Sequence, residues 1–171
     1  MNVRIEASVV LRADPEAAFA SMADVRAQEK WIFATTMYAV ESAASPPQVG
    51  SRIAAFTGFW SIGFLDTMTV TEYDPPRRWV MDKDGALLHG VGIMQVEPLP
   101  QGCRVSWVNE LDLPFGILGR LGWPIARPLA RLALTAALKR MGRLIDKGVL
   151  PLAPAPARQI DPSSGSHALT S

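Results

Sequence analysis

Apolar and polar residues alternate over most of the first two thirds of the chain. Between Asn2 and Leu11 every second residue is apolar, and this period of two predicts a strand with one buried face. The pair Asp14-Pro15 supplies a helix cap and a proline suited to the first helical position. We therefore expect two short helices after the first strand, over Pro15–Met22 and Asp24–Glu29.

The period of two then returns in six segments separated by turn residues such as Pro46-Pro47 and Asp84-Gly85. The predicted strands are Thr35–Ser42, Ser51–Trp60, Gly63–Tyr73, Arg78–Asp82, Leu87–Glu97 and Arg104–Leu113. Because short links join successive strands, we expect an antiparallel meander.

The C-terminal third changes to a helical period. From Pro124 to Lys147 the spacing predicts one long amphipathic helix with several basic residues on one side. The residues expected to form its apolar face are Ile125, Leu129, Leu132, Ala136 and Leu144. The segment 150–171 is rich in Pro, Ala and Ser and has no apolar period, so we expect a disordered tail after a single domain over 1–149.

Composition narrows the class of protein. Of the 171 residues 49% are hydrophobic, enough for one domain with a core, and the net charge of +1 offers no general attraction to nucleic acid. Arg4 and Glu6 interrupt what would be the apolar core of a signal peptide, and arginines interrupt the most apolar stretch, 113–138. We expect a cytoplasmic protein without a membrane-spanning helix.

Several short motifs occur in a characteristic order along the chain. They are the segment from Ala13 to Phe19, Trp31, Val49-Gly50-Ser51, the bend from Val70 to Trp79, and the segment from Gly102 to Trp107. With these motifs the chain resembles the START-like (SRPBCC) superfamily of polyketide cyclase/dehydrase and lipid-transport-like proteins, over about residues 3–147. The resemblance implies an α+β helix-grip fold, in which a curved antiparallel sheet of about seven strands surrounds a long C-terminal helix and two short helices follow strand 1.

The same resemblance implies an interior ligand-binding cavity. A curved sheet wrapped about one helix leaves an interior tunnel, and ligand sites are typically concave and mostly apolar. We expect binding of a small hydrophobic molecule, with transport or sequestration as its purpose. The alternatives are a cofactor-independent polyketide cyclase or dehydratase that uses the same tunnel, and a membrane-proximal lipid carrier that uses the basic helix. The residues expected to line the tunnel are Phe64, Met68, Trp79, Met81, Trp107, Asn109, Trp123 and Leu129.

Two ionisable residues are candidates for proton transfer. Asp66 shares a strand face with Phe64 and Met68, so it lies inward in one register and faces water in the next. His89 is the histidine within the predicted domain, on a strand whose two faces are equally apolar. An inward His89 suits proton transfer near neutral pH, whereas the other register makes it a structural or exposed histidine.

Cofactor and metal sites have no support in the sequence. One cysteine, Cys103, and one histidine inside the domain do not make a metal-ligand cluster, so we expect no metal. The chain has no Gly-rich nucleotide-binding motif and no Gly-x-Ser-x-Gly nucleophile turn. An enzymatic activity would therefore need no cofactor, and the expected partner is a small hydrophobic molecule.

Overall fold

The structure, a computed structural model, describes residues 2–41, 48–59, 62–85, 88–112 and 116–152. The elements in chain order are β1 (Asn2–Leu11), α1 (Pro15–Ala23), α2 (Val25–Trp31), β2 (Thr35–Glu41), β3 (Arg52–Phe59), β4 (Ile62–Asp74), β5 (Arg78–Asp84), β6 (His89–Leu99), β7 (Gly102–Asp112) and α3 (Gly116–Asp146). Their order confirms the sequence prediction. The long helix begins at Gly116, earlier than the predicted Pro124.

The seven strands form one curled antiparallel sheet in the order β1-β7-β6-β5-β4-β3-β2. Strands β2 to β7 follow one another as the predicted meander, while β1 pairs along its whole length with β7. The helices α1 and α2 connect the two edges of the sheet between β1 and β2. The pairing of β4 with β5 shifts between Val70 and Glu72.

Local signals set the start of each short helix. The Asp14 carboxylate accepts hydrogen bonds from the backbone N–H groups of Glu16 (2.8 Å) and Ala17 (3.3 Å), and Pro15 occupies the first turn of α1. The Asp24 carboxylate accepts from Arg26 N–H at 2.8 Å and caps α2 in the same way. Each cap stabilises its helix by about 1 kcal/mol.

The main hydrophobic core lies between the sheet, the two short helices and the C-terminal half of α3. Trp31 is fully buried there, with its indole N–H donating to the Ser21 carbonyl at 3.1 Å. The Trp31 ring meets the Trp107 ring edge to face, with 5.8 Å between centroids and 76° between planes. Trp107 therefore faces the interior, as the alternation predicted.

The buried face of α3 is rotated about the helix axis from the predicted one: Leu144 packs against the main core as predicted, but three of the five predicted residues are exposed. Ile125, Leu129 and Leu132 are 71%, 62% and 65% exposed. The buried face instead carries Leu138 and Met141, both fully buried, together with the small residue Ala137. Since alanines occupy part of the inward face, it has a weaker hydrophobic signal than the outward row.

The core extends past the predicted domain boundary. Leu150, assigned above to the tail, is buried, and Leu152 packs against the main core. The start of the predicted tail thus belongs to the domain. The remainder, residues 153–171, lies outside the described residues.

Candidate functional site

A cavity of about 250 Å³ lies between the sheet and α3. Most of its wall is apolar and comes from strands of the sheet, the segment after α2, and the middle of α3. The apolar wall residues are Ile32, Phe33, Phe64, Leu88, Trp107, Leu111, Ala133, Leu134 and Ala137, and the polar ones are Thr35, Thr57, Asp66, Lys83 and Asn109. Phe33 is half exposed, so the cavity wall reaches the protein surface at that side chain.

An ion pair lies in this wall. The Lys83 ammonium donates to Asp66 Oδ2, and both side chains are more than nine-tenths buried. Lys83 Nζ also lies 3.4 Å from the sulfur of Met68. Removing one member of a buried ion pair leaves an uncompensated charge, at a cost of about 3 to 5 kcal/mol. The two charges therefore depend on each other.

Other polar atoms of the wall have unused hydrogen-bonding capacity. Asp66 Oδ1 is buried and has no hydrogen-bond partner among the described residues. Asn109 is 7% exposed, and within the same part of the chain its side-chain amide makes no hydrogen bond. A buried polar group without a partner costs about 1 to 3 kcal/mol. These groups are suited to a polar guest.

Strand register brings the polar side chains together. Asp66 on β4 and Lys83 on β5 lie one diagonal step apart, because Met68 is the direct partner of Lys83. On the far side of Lys83, Gly92 of β6 pairs directly with Asn109 of β7. We call Asp66, Lys83 and Asn109 the polar strip, because they run across four neighbouring strands.

Gly92 makes room within the polar strip. A Cβ atom at this position would lie 3.3 Å from Lys83 Cε and 3.5 Å from Asn109 Oδ1. The first distance is tighter than an ordinary van der Waals contact, so a side chain here would push the Lys83 stem. The bare backbone lets Lys83 lie across β6 beside Asn109.

Four of the residues predicted from the sequence meet at this cavity. Phe64, Asp66, Trp107 and Asn109 all line it. Asp66 is 5% exposed, so the inward register is the one that the chain adopts. Met68 is also buried. It does not line the cavity, but its sulfur contacts Lys83 Nζ.

The other predicted residues lie elsewhere. Trp79 and Met81 are buried in the main core and are not among the cavity residues. Trp123 lies in a cleft of about 840 Å³ between β1 and α3, whose other residues are largely exposed. Leu129 is exposed on the outer side of α3, as described above.

His89 also lies away from the cavity. It begins β6 with an exposed side chain, opposite Asp84 on one side and Asp112 on the other. The inward set on this strand is Gly92, Met94 and Val96, which leaves His89 facing water. His89 is therefore removed as a candidate for proton transfer inside the cavity.

Lys83 is the functional residue that the sequence interpretation missed. The predicted strand ended at Asp82, whereas β5 continues to Asp84. Trp79 and Met81 are inward, and the same alternation carried on by two residues makes Lys83 inward as well. The signal was present, but a lysine at the end of a strand is ordinarily exposed.

Cys103 and Tyr73 lie away from this wall. In the parts of the chain that the structure describes, no three His, Cys, Asp or Glu side chains come together as a metal site. Cys103 is fully buried in the main core, and burial, with a smaller effect of Asp14, raises the pKa of its thiol. Burial likewise raises the pKa of the Tyr73 hydroxyl, which lines a separate surface groove.

A family model described as polyketide cyclase / dehydrase and lipid transport matches residues 2–146. The chain belongs to this family. The membership agrees with the resemblance to the START-like superfamily, and the architecture is the helix-grip fold. No protein with a curated description matches this chain.

Solved structures share the fold at low sequence identity. TTHA0849 from Thermus thermophilus has a TM-score of 0.69 and 16% identity, covering 85% of this chain and 99% of its own. The Polyketide_cyc-like protein Cgl2372 from Corynebacterium glutamicum has a TM-score of 0.61 and 16% identity, with 87% and 94% covered. Protein CV1439 from Chromobacterium violaceum has a TM-score of 0.60 and 20% identity, with 85% and 96% covered. At these identities the likeness establishes the fold.

None of the described helices combines the length and the apolar character needed to cross a bilayer.

Proposed function

We propose that this protein binds a small hydrophobic molecule in the cavity between the sheet and α3. The observation that carries the proposal is a largely apolar wall on which a few polar groups converge, the usual composition of a ligand site. Membership of a family described by polyketide cyclisation and lipid transport supports the same class of ligand.

The test is to fill the cavity. Ala137 is buried and lines the cavity, whereas its neighbour Ala136 does not. Ala137→Leu should lower the affinity for an apolar fluorescent probe about tenfold or more and leave the free energy of unfolding equal or higher, because the added atoms enter empty space. In a close-packed site the same change costs about 1 to 3 kcal/mol.

Ala136→Leu is the matched control for probe binding and should leave the affinity at the wild-type value. A wild-type protein that binds no probe contradicts the proposal. So does equal probe affinity in the two variants, since the probe would then bind outside the cavity.

A second candidate function, a cofactor-independent cyclase or dehydratase, is favoured by the inward position of Asp66. With a β-hydroxy ketone, Asp66 Oδ1 would accept the proton from the carbon between the two oxygenated carbons, and the hydroxyl would leave as water with a proton from Lys83. Return of the proton from the Asp66 carboxyl to the neutral Lys83 amine would then restore the charges of the pair.

Mass spectrometry distinguishes catalysis from binding. A dehydratase should convert β-hydroxy ketones of one or two rings to products lighter by one water, and the double variant Asp66→Asn/Lys83→Met, which leaves no unpaired buried charge, should abolish the conversion. Conversion at the same rate in the double variant would exclude the role of Asp66 and Lys83. Probe binding without any conversion would support the binding function and contradict the dehydratase.

The third candidate, a membrane-proximal lipid carrier, fits the cavity poorly. An apolar cavity of about 150 Å³ holds one benzene ring. The observed 250 Å³ accommodates a compact molecule rather than a diacyl lipid. The exposed apolar residues Ile125, Leu129 and Leu132 of α3, with Arg127 and Arg131 on the same stretch of helix, are compatible with a membrane surface, but they do not enlarge the cavity.

A further inference from the structure

We infer that the ligand is an uncharged molecule of one or two rings bearing a hydroxyl group that binds at the polar strip of Asp66, Lys83 and Asn109. This inference rests on the proposed binding function and specifies the chemistry of its ligand.

The polar strip determines which group the ligand must present. A carboxylate oxygen only accepts hydrogen bonds, so the unpartnered Asp66 Oδ1 needs a donor. Lys83 has three N–H groups, of which one goes to Asp66 and one points to the weakly accepting sulfur of Met68. The Asn109 amide both donates and accepts, and it is unused within the described structure. A hydroxyl, which donates one hydrogen bond and accepts others, complements this set.

The charge of the cavity wall excludes ionic ligands. Asp66 and Lys83 are the two charged residues among those that line the cavity, and they neutralise each other. A bound carboxylate or ammonium group would therefore bring a third charge without a counter-ion into a buried site, which is costly. The ligand is consequently polar at one point and neutral overall.

The size of the cavity and the composition of its wall limit the size and polarity of the rest of the ligand. Since about 150 Å³ suffices for benzene, 250 Å³ accommodates one ring with a short chain or two fused rings. The wall opposite the polar strip carries Leu134 and Ala137 of α3, which offer only apolar contacts. The ring system lies against this side and the hydroxyl against the sheet.

The test compares four probes that share one ring system, with equilibrium dialysis as the measurement. The probes are 2-naphthol, 2-methoxynaphthalene, naphthalene and 2-naphthoate. We expect 2-naphthol to bind about tenfold or more tightly than naphthalene, the usual effect of satisfying buried polar groups. The methoxy compound, which accepts but does not donate, should fall between them, and the carboxylate should bind weakest.

Variants connect this preference to the polar strip. Asn109→Leu and the double variant Asp66→Asn/Lys83→Met should each reduce the preference for 2-naphthol over naphthalene, measured as the ratio of the two dissociation constants. The double variant removes both charges at once and so avoids an unpaired buried charge. Thr135→Val is the control, because the Thr135 hydroxyl on α3 donates to the Arg131 carbonyl at 2.8 Å and Thr135 is not among the cavity residues.

The outcomes distinguish a failure of the proposed binding function from a failure of the hydroxyl inference. If no probe binds, the proposed binding function itself fails. If naphthalene and 2-naphthol bind equally, or if 2-naphthoate binds best, the cavity binds ligands but the hydroxyl inference is overturned. Loss of the preference in Thr135→Val to the same degree as in Asn109→Leu would also overturn it.

Discussion

Asp66 and Lys83 place two opposite charges inside an otherwise uncharged cavity wall. The sequence made Asp66 a candidate but left open whether it lies inward or faces water, because one register step decides its face and alternation does not identify the partner on the next strand. The partner depends on the register between β4 and β5, including the shift after Val70. The sequence therefore identified Asp66 as a candidate residue, but neither its inward register nor its partner Lys83.

Lys83→Met should be strongly destabilising, since it leaves the Asp66 carboxylate buried and unpaired. We expect a loss of about 3 to 5 kcal/mol in the free energy of unfolding, measured by urea denaturation. Arg104→Met is the control: Arg104 pairs with Glu97 on the surface, where such pairs contribute about 0 to 1 kcal/mol. Equal losses in the two variants would contradict the buried ion pair.

Cys103 should be unreactive in the folded protein. The thiolate is the reacting form, and both full burial and the raised pKa keep the thiol protonated and inaccessible. A thiol reagent such as Ellman's reagent should label it slowly under native conditions and at once in denaturant, followed by absorbance. Immediate labelling of the native protein would show that Cys103 is accessible from solvent.

At the scale of elements, the helix boundaries near Asp14 and Asp24 were predictable because caps are local signals. The rotation of α3 was not predictable, because both of its sides carry apolar residues and the inward side relies partly on alanines. Which side packs is decided by contacts with β1 and the short helices, which are distant in sequence. Leu129 was misplaced for this reason.

The rotation of α3 can be tested with two leucines of the same helix. Leu138→Ala should cost about 2 to 5 kcal/mol of unfolding free energy, because Leu138 is fully buried. Leu129→Ala should cost less than about 0.5 kcal/mol, since Leu129 is mostly exposed. Chemical denaturation of both variants gives the comparison, and a larger cost at Leu129 would reverse the assigned face.

At the scale of the whole molecule, the order of strands and helices was enough to predict the helix-grip fold. The position of the cavity was not, because it depends jointly on the strand registers, the rotation of α3 and the place of Phe33. The domain boundary was missed for a similar reason: Leu150 and Leu152 belong to a proline-rich segment but contact the core. Both the position of the cavity and the end of the domain depend on contacts between residues distant in sequence, which local composition does not indicate.

Two truncations test where the domain ends. Removing residues 153–171 should leave the melting temperature within a degree or two of the full chain, since Leu150 and Leu152 are retained. Removing residues 150–171 should lower it by several degrees, the usual effect of losing 1 to 2 kcal/mol of packing in a domain of this size, about 2 to 4 °C per kcal/mol. Equal melting temperatures would show that Leu150 adds nothing to the core.

The central claim is that a small neutral molecule binds between the sheet and α3 at the polar strip. The most direct measurement is a titration of ¹⁵N-labelled protein with 2-naphthol, followed in two-dimensional NMR spectra. The account predicts saturable shifts of the Asn109 side-chain amide, the Trp107 indole N–H and the backbone amide of Ala137. No shifts at saturating probe, or shifts confined to the surface groove at Phe19 and Tyr73, would contradict it.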